Sequence, residues 1–235
     1  MEPTSQDLGK YNRLNKAEVL LLAFILTIAF HGILFWLVYR VMGARTLYDR
    51  LGPQSFANLW DGLSALMPLL LCLGAPSRSG LRLGTWKSSV WKVLAVCGMA
   101  VILTGIIYPL TSKPFTGGHT HSVGMWLISP AAQDLLFTGY LYGLLNMTFP
   151  GRIRKSIPIN KAVFLTAGFF ALWHVPNFMG IKAEYVAFQL TYTFVGGAWV
   201  LLARQWTGSV LPGLATHMAV NHVAWKGINF LWWLG

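Results

Sequence analysis

The sequence predicts an all-α protein, a polytopic transmembrane helical bundle that occupies residues 1–235 as a single domain. Of the 235 residues, 55% are hydrophobic and only 11% are charged, and the mean hydropathy is +0.54. An ordinary soluble domain carries roughly 25% charged residues. This chain therefore has too little polar surface for a soluble globule, and it is too apolar for a disordered protein. The length accommodates about seven or eight spans at roughly 20 residues each.

Apolar runs separated by polar or basic loops predict the spans in order. The first run, about 19–41, is too long for a signal peptide and lacks a small-residue cleavage site, so it reads as a retained span. The following runs cover about 56–73, 90–110, 123–146, 162–175, 185–203 and 210 onward. The last apolar piece, which ends at 232–235, is either a short eighth span or a continuation of the seventh.

The charge distribution predicts an orientation. The net charge is +11, which in a membrane protein indicates basic loops against anionic headgroups rather than a nucleic-acid partner. With the N-terminus inside, the inner segments hold 12 of the 18 Lys and Arg residues, Arg204 among them. This bias predicts a cytoplasmic N-terminus, although the basic cluster at 40–50 falls outside. Short tails without an organellar signal favour a prokaryotic cytoplasmic membrane, and the basic loop 152–155 is expected on lipid headgroups.

Seven acidic residues are present, and two of them lie inside apolar runs, Asp61 and Asp134. A charged Asp at the centre of a membrane helix costs roughly 2.5–3.5 kcal/mol, so Asp134, beside Gln133, is a functional candidate. The alternative is a packing residue bonded to a neighbouring helix, while Asp61 is expected near a span end or paired with a basic residue. Gly139 and Gly143 form a Gly-xxx-Gly pair, which permits close approach of another helix.

Two further pairs have the spacing of one helix face. Phe170 and His174 are four residues apart, as are His217 and Asn221. A histidine suits general acid–base chemistry, and paired donors suit an oxyanion. The alternatives are structural histidines and interhelical hydrogen bonds. Two histidines and an acid can also hold zinc, but no His-Glu-x-x-His pattern is present. The loop histidines, His119 and His121, favour a solvated loop over a metal contact.

Together these residues resemble the CPBP family of intramembrane endopeptidases, which includes the type II CAAX prenyl endopeptidases. The resemblance covers about residues 123–225. The Phe-x-x-x-His motif of the family is matched by Phe170 and His174, and its His-x-x-x-Asn motif by His217 and Asn221. The stretch 208–213 is also typical of the family. The first motif, Glu-Glu-x-x-x-Arg-Gly, departs from the pattern, since its glutamates and arginine are replaced here by Gln133, Asp134 and Thr138.

The resemblance implies a bundle of about eight spans around a polar cavity, and peptide hydrolysis without a metal or cofactor. Asp134 and His174 would activate water, while Gln133, His217 and Asn221 would hold the substrate and the oxyanion. The substrate would be a membrane-associated or prenylated protein or peptide. The altered first motif leaves a second hypothesis, a catalytically impaired scaffold or regulator of another membrane protein. A proton-coupled carrier that uses Asp134 is a third, against which the absence of an inverted repeat argues.

Overall fold

The computed structural model of the protein describes residues 15–29, 50, 53–81, 90–112, 127–175 and 183–234. This part of the chain is mostly helical, which confirms the all-α class. The α-helices are α1 (Lys16–Phe24), α2 (Pro53–Gly74), α3 (Pro76–Ser79), α4 (Val90–Ser112), α5 (Ser129–Asp134), α6 (Tyr142–Thr148), α7 (Lys161–Leu172), α8 (Ala183–Thr207) and α9 (Leu211–Leu234). π-helical segments occupy Ile25–Ala29 and Leu135–Leu141, and two short strands are β1 (Arg152–Arg154) and β2 (Ile157–Asn160).

Two of the described helices are long and apolar enough to cross a membrane. They contain the segments Val90–Ile107 and Ala183–Thr207, with mean hydropathies of 2.2 and 1.5. Only 17% of Val90–Ile107 is buried, and its outer surface carries Trp91, Leu94 and Ile102. Such a surface suits lipid rather than water. The number of seven or eight spans stays a prediction.

A helix at the centre of the molecule organises the fold. It runs without a break through α5, the π segment Leu135–Leu141 and α6, and residues 136–145 are all buried. This central helix (129–148) packs against α2, α3, α7, α8 and α9. A helix that is buried on every side lies in the core of its protein, so side chains of the central helix are shielded from both water and lipid.

The Gly-xxx-Gly pair lies where the central helix meets α2 and α3. A Cβ atom at Gly139 would lie 3.1 Å from Sγ of Cys72, and one at Gly143 would lie 2.5 Å from the carbonyl oxygen of Arg78. The predicted close approach is thus confirmed. It places α3, which follows α2 and contains Arg78, directly against the central helix.

The basic loop after the central helix forms a small antiparallel hairpin. Arg152 pairs with Asn160 and Arg154 with Ile157, and both arginines are exposed. Gln205 of α8 ties the hairpin to the bundle, because its side chain accepts from the Asn160 amide at 2.9 Å and donates to the Pro158 carbonyl at 2.8 Å. The hairpin is the one β-sheet among the described residues.

The predicted runs agree with the helices to within a few residues where both can be compared. α9 is continuous from Leu211 to Leu234, so the last apolar piece continues the seventh run. The first run is described only to residue 29. His119 and His121, as well as the side chain of Asp61 in α2, lie outside the described residues.

Candidate active site

Asp134 is the buried acid of the central helix. It ends α5 immediately before the π segment and is only 4% exposed. Both of its carboxylate oxygens accept hydrogen bonds. Thr138, one turn later, donates from Oγ1 to Oδ1 at 2.7 Å, and His217 of α9 places Nδ1 3.0 Å from Oδ2. The structure therefore joins two of the predicted site residues directly, across two helices.

The hydrogen bond to Asp134 determines which nitrogen of His217 is available. Because a carboxylate only accepts, Nδ1 carries the proton, and Nε2 of the neutral ring keeps its lone pair. The His217 side chain is 14% exposed. Its Nε2 is thus the basic atom of the pair.

Small residues at the start of α9 allow this pairing. A Cβ atom at Gly213 would lie 2.7 Å from Cγ1 of Val200 and 3.2 Å from Cγ2 of Thr138. Just before it, the Leu211 amide donates to Oγ of Ser209 at 3.2 Å, which satisfies a free amide at the helix start. Because of the stretch 208–213, α9 begins close to the central helix. His217 can therefore reach the Asp134 carboxylate.

His174 lies just beyond the end of α7 and approaches the same region through Phe170. Its Nδ1 lies 3.1 Å from the Phe170 carbonyl oxygen, so this nitrogen also donates and Nε2 is again the basic atom. The Phe170 ring packs edge-on against both imidazoles, with centroids 5.4 Å from His174 and 5.8 Å from His217. Gly197 of α8 makes room for this ring, since a Cβ there would lie 2.7 Å from Cδ1 of Phe170.

The two amide residues predicted for the site are placed differently. Gln133 is partly buried and donates from Nε2 to Oγ of Ser129 in its own helix, at 3.3 Å. Asn221 lies one helical turn after His217 in α9 and is partly buried. Asp134 and His217 are therefore the bonded pair of the site, and Phe170 connects the pair to His174.

The donor set bears on the zinc alternative. In the described ranges, no group of three or more His, Cys, Asp or Glu side chains is arranged to hold a metal ion. Nδ1 of His217 already bonds to Asp134, and Nδ1 of His174 to a carbonyl. A zinc-bound histidine also donates its second ring N–H to a carboxylate or a carbonyl, so zinc stays an alternative to metal-free hydrolysis.

Arg204 is a site residue that sequence reasoning missed. Counting it among the loop cations was wrong, because it is only 5% exposed. Its Nε donates to the Thr138 carbonyl at 3.2 Å and its second terminal nitrogen to the Arg78 carbonyl at 2.8 Å. The guanidinium carbon also lies 5.5 Å from the Tyr142 ring centroid. In the first family motif the arginine is replaced by Thr138. The guanidinium that lies beside Thr138 in this structure belongs to Arg204 of α8.

A sequence signal for this burial exists. Gly197, Leu201 and Arg204 follow one another at spacings of four and three residues, and all three are buried. Such spacing places them on one face of α8. The helix face that Arg204 shares with Gly197 and Leu201 is therefore the sequence signal for its burial.

The arrangement has the geometry for acid–base catalysis. A buried carboxylate holds an imidazole in one tautomer, and the far nitrogen of that ring can remove a proton from water. The second imidazole, that of His174, packs against the same Phe170 ring. Together these groups can accept one proton and stabilise a negative charge.

Comparison with protein families matched residues 115–223 to the family model described as type II CAAX prenyl endopeptidase Rce1-like. The matched segment contains Asp134, His174 and His217. The match confirms the family that the motifs predict. Neither the curated proteins nor the solved structures gave a significant match.

Proposed function

We propose that this chain, which carries a domain of the Rce1-like type II CAAX prenyl endopeptidase family over residues 115–223, is an intramembrane endopeptidase. Its substrate class would be a membrane-associated or prenylated protein or peptide. The family consists of membrane-embedded proteases. The single observation that carries the proposal is the hydrogen bond between Asp134 and His217.

The contacts support a different catalytic role for each site residue. Asp134 holds the Nδ1 proton of His217, and Nε2 of His217 takes a proton from the attacking water. The water oxygen bonds to the scissile carbonyl carbon, and the same proton later passes to the leaving amine. Asn221 then donates to the oxyanion, as does Nε2 of His174 when that ring is an imidazolium, because Nδ1 is already bonded to the Phe170 carbonyl. This differs from the expectation that Asp134 and His174 share the base role, since the carboxylate bonds to His217.

The shortened acid is compatible with this chemistry. Asp134 is one methylene shorter than the glutamate of the motif, which shifts the carboxylate by roughly 1 Å, a displacement large enough to reduce a rate. The close approach of α9 at Gly213 offsets this shift, because His217 reaches Oδ2 at 3.0 Å. Gln133 is not required as a base in this scheme.

A second candidate function is a catalytically impaired scaffold. It is favoured by the occupation of both Asp134 oxygens, by Thr138 and His217. Such a pair also serves as an interhelical hydrogen bond that holds the central helix to α9 without chemistry. In that case cleavage is absent, and the cellular phenotype survives His174→Ala and His217→Ala.

Cleavage by the reconstituted protein tests the proposal. We expect the full chain in liposomes to cleave a farnesylated CAAX peptide or the same peptide without the lipid, with products identified by mass spectrometry. His217→Ala should abolish cleavage. Arg154→Gln is the matched control, since it removes a cation from the exposed hairpin, and it should cleave normally. Equal cleavage by wild type and His217→Ala would exclude the proposed mechanism.

We also propose that the N-terminus faces the cytoplasm of a prokaryotic cell. Lys16, at the start of α1, places its ammonium 5.9 Å from the Phe149 ring, directly before the basic hairpin. Two basic segments therefore lie at the same end of the bundle, as the positive-inside rule requires. Lys155→Cys should resist an impermeant thiol reagent in intact cells and react after lysis. Labelling in intact cells, above that of wild type, would reverse the orientation.

A further inference from the structure

We infer that Arg204 is a positioning residue of the site, which holds the central helix so that Asp134 meets His217. It bonds to the Thr138 carbonyl, and the Thr138 hydroxyl bonds to Asp134, so it acts on the pair through another residue. The inference deepens the proposed function and rests on it for the kinetic readout alone.

The π segment creates the need for an outside donor. At its end, the Tyr142 amide bonds to the carbonyl oxygens of Phe137 and Gly139 and skips that of Thr138 between them. A buried carbonyl without a donor is costly, and Thr138 is 2% exposed. Nε of Arg204 donates to this carbonyl at 3.2 Å. The arginine thus stabilises the helix at the turn where its hydrogen-bond spacing changes.

The same residue connects the arginine to the acid. Arg204 bonds to the carbonyl of Thr138, the hydroxyl of Thr138 bonds to Asp134, and Asp134 bonds to His217. Asp134 and Arg204 are both buried and carry opposite charges. The guanidinium of Arg204 bonds to the carbonyl of Thr138, and the carboxylate of Asp134 bonds to the hydroxyl of the same residue. A shift of the guanidinium therefore moves the carboxylate relative to the imidazole.

The surroundings of Arg204 fix its orientation. Its terminal nitrogen donates to the Arg78 carbonyl, and its guanidinium carbon lies over the Tyr142 ring, 5.5 Å from the centroid. Gly80 follows α3 with a φ of 70°, and a Cβ atom there would overlap the guanidinium. A lysine keeps the charge but lacks the fork that donates in two directions at once.

Arg204→Gln and Arg204→Lys test the inference in the full chain reconstituted in liposomes. We expect kcat to fall by about 10- to 100-fold in the glutamine variant, as for a displacement near 1 Å, with KM within about threefold. The lysine variant should recover part of kcat. A folded glutamine variant with unchanged kcat would overturn the inference. If the glutamine variant does not accumulate, Arg204→Lys serves as the test. An unchanged kcat in the lysine variant would likewise overturn the inference.

Gly80→Ala displaces the guanidinium without removing it. The matched control is Gly151→Ala, because Gly151 also has a positive φ, of 94°, and has nothing within 4 Å of the added Cβ. Both alanines bear the backbone strain, but only the one at position 80 disturbs Arg204. We expect kcat to fall in Gly80→Ala alone. Equal kcat values in the two variants would refute the role of the contact.

A spectroscopic readout separates this inference from the proposed function. In ¹⁵N-histidine NMR spectra, assigned through His217→Gln, His217 of the wild type should show the Nδ1–H tautomer. Arg204→Gln should shift it towards a mixture, whereas Arg154→Gln should not. An unchanged His217 signal in Arg204→Gln would overturn the positioning role. A changed signal in a protein that cleaves no peptide would reject the proposed function and keep the positioning role.

Discussion

Replacing Asp134 with asparagine is expected to lower kcat for peptide cleavage by about 10³- to 10⁴-fold, with KM nearly unchanged. Thr138 donates to Oδ1 of Asp134, so the oxygen of an asparagine would face Thr138 and its NH₂ group would face His217. That group donates to Nδ1 and moves the ring proton to Nε2. The imidazole is then unable to accept a proton from water, although its position is retained.

Asp134→Glu provides the control for this prediction. It retains a carboxylate and restores the residue type of the family motif, but shifts the charge by roughly 1 Å, for which a loss of about 10²-fold is expected. The measurement is steady-state cleavage of the reconstituted protein, with folding checked by thermal unfolding. A greater loss with glutamate than with asparagine would show that Asp134 does not set the tautomer of His217.

Replacing His174 with alanine is expected to lower kcat by about 10²- to 10³-fold, the usual effect of removing one oxyanion donor. Its Nδ1 is held by the Phe170 carbonyl, so the ring presents Nε2 from a fixed orientation. His174→Gln retains a hydrogen-bond donor but no titratable group. We expect this variant to be more active than His174→Ala, because the glutamine amide can still donate to the oxyanion.

Trp173→Phe is the matched control for the His174 variants. Trp173 precedes His174 and packs edge-on against Phe137, with centroids 5.7 Å apart. A phenylalanine retains an aromatic ring there, and kcat should stay within about threefold of wild type. Should His174→Ala and Trp173→Phe lose activity equally, His174 would act through packing rather than through its imidazole.

The identity of the site residues was more predictable than their pairing. Asp134 stood out because an acid in an apolar run is rare, and the helical spacing of His217 placed it on a definite face of α9. Neither observation says which helices are neighbours. The approach of α9 depends on Gly213 and on the loop before it, and these contacts are non-local. The partner of Asp134 therefore proved to be His217, where the sequence favoured joint action with His174.

Arg204 and the π segment show a second limit. A cation directly after an apolar run is normally placed at the membrane surface, and only the spacing to Leu201 and Gly197 argues otherwise. The π segment has no recognisable periodicity, because its seven residues are buried on almost every side. The strands of the hairpin were read as a loop, since they are short and lack alternation of polar and apolar residues.

The π segment also makes the contact of Arg204 depend on the number of residues in the central helix. A residue of an α-helix turns about 100° around the axis, and a π bulge adds one residue without a matching turn of the α-helical register. The register of α5 directs Asp134 towards α9, whereas the register of α6 directs Gly143 towards α3. Deleting one residue within 135–141 would therefore close the bulge into a regular α-helix and leave the two registers nearly unchanged. Such a chain would still direct Asp134 towards α9, but it would no longer present the unbonded carbonyl to which Arg204 donates.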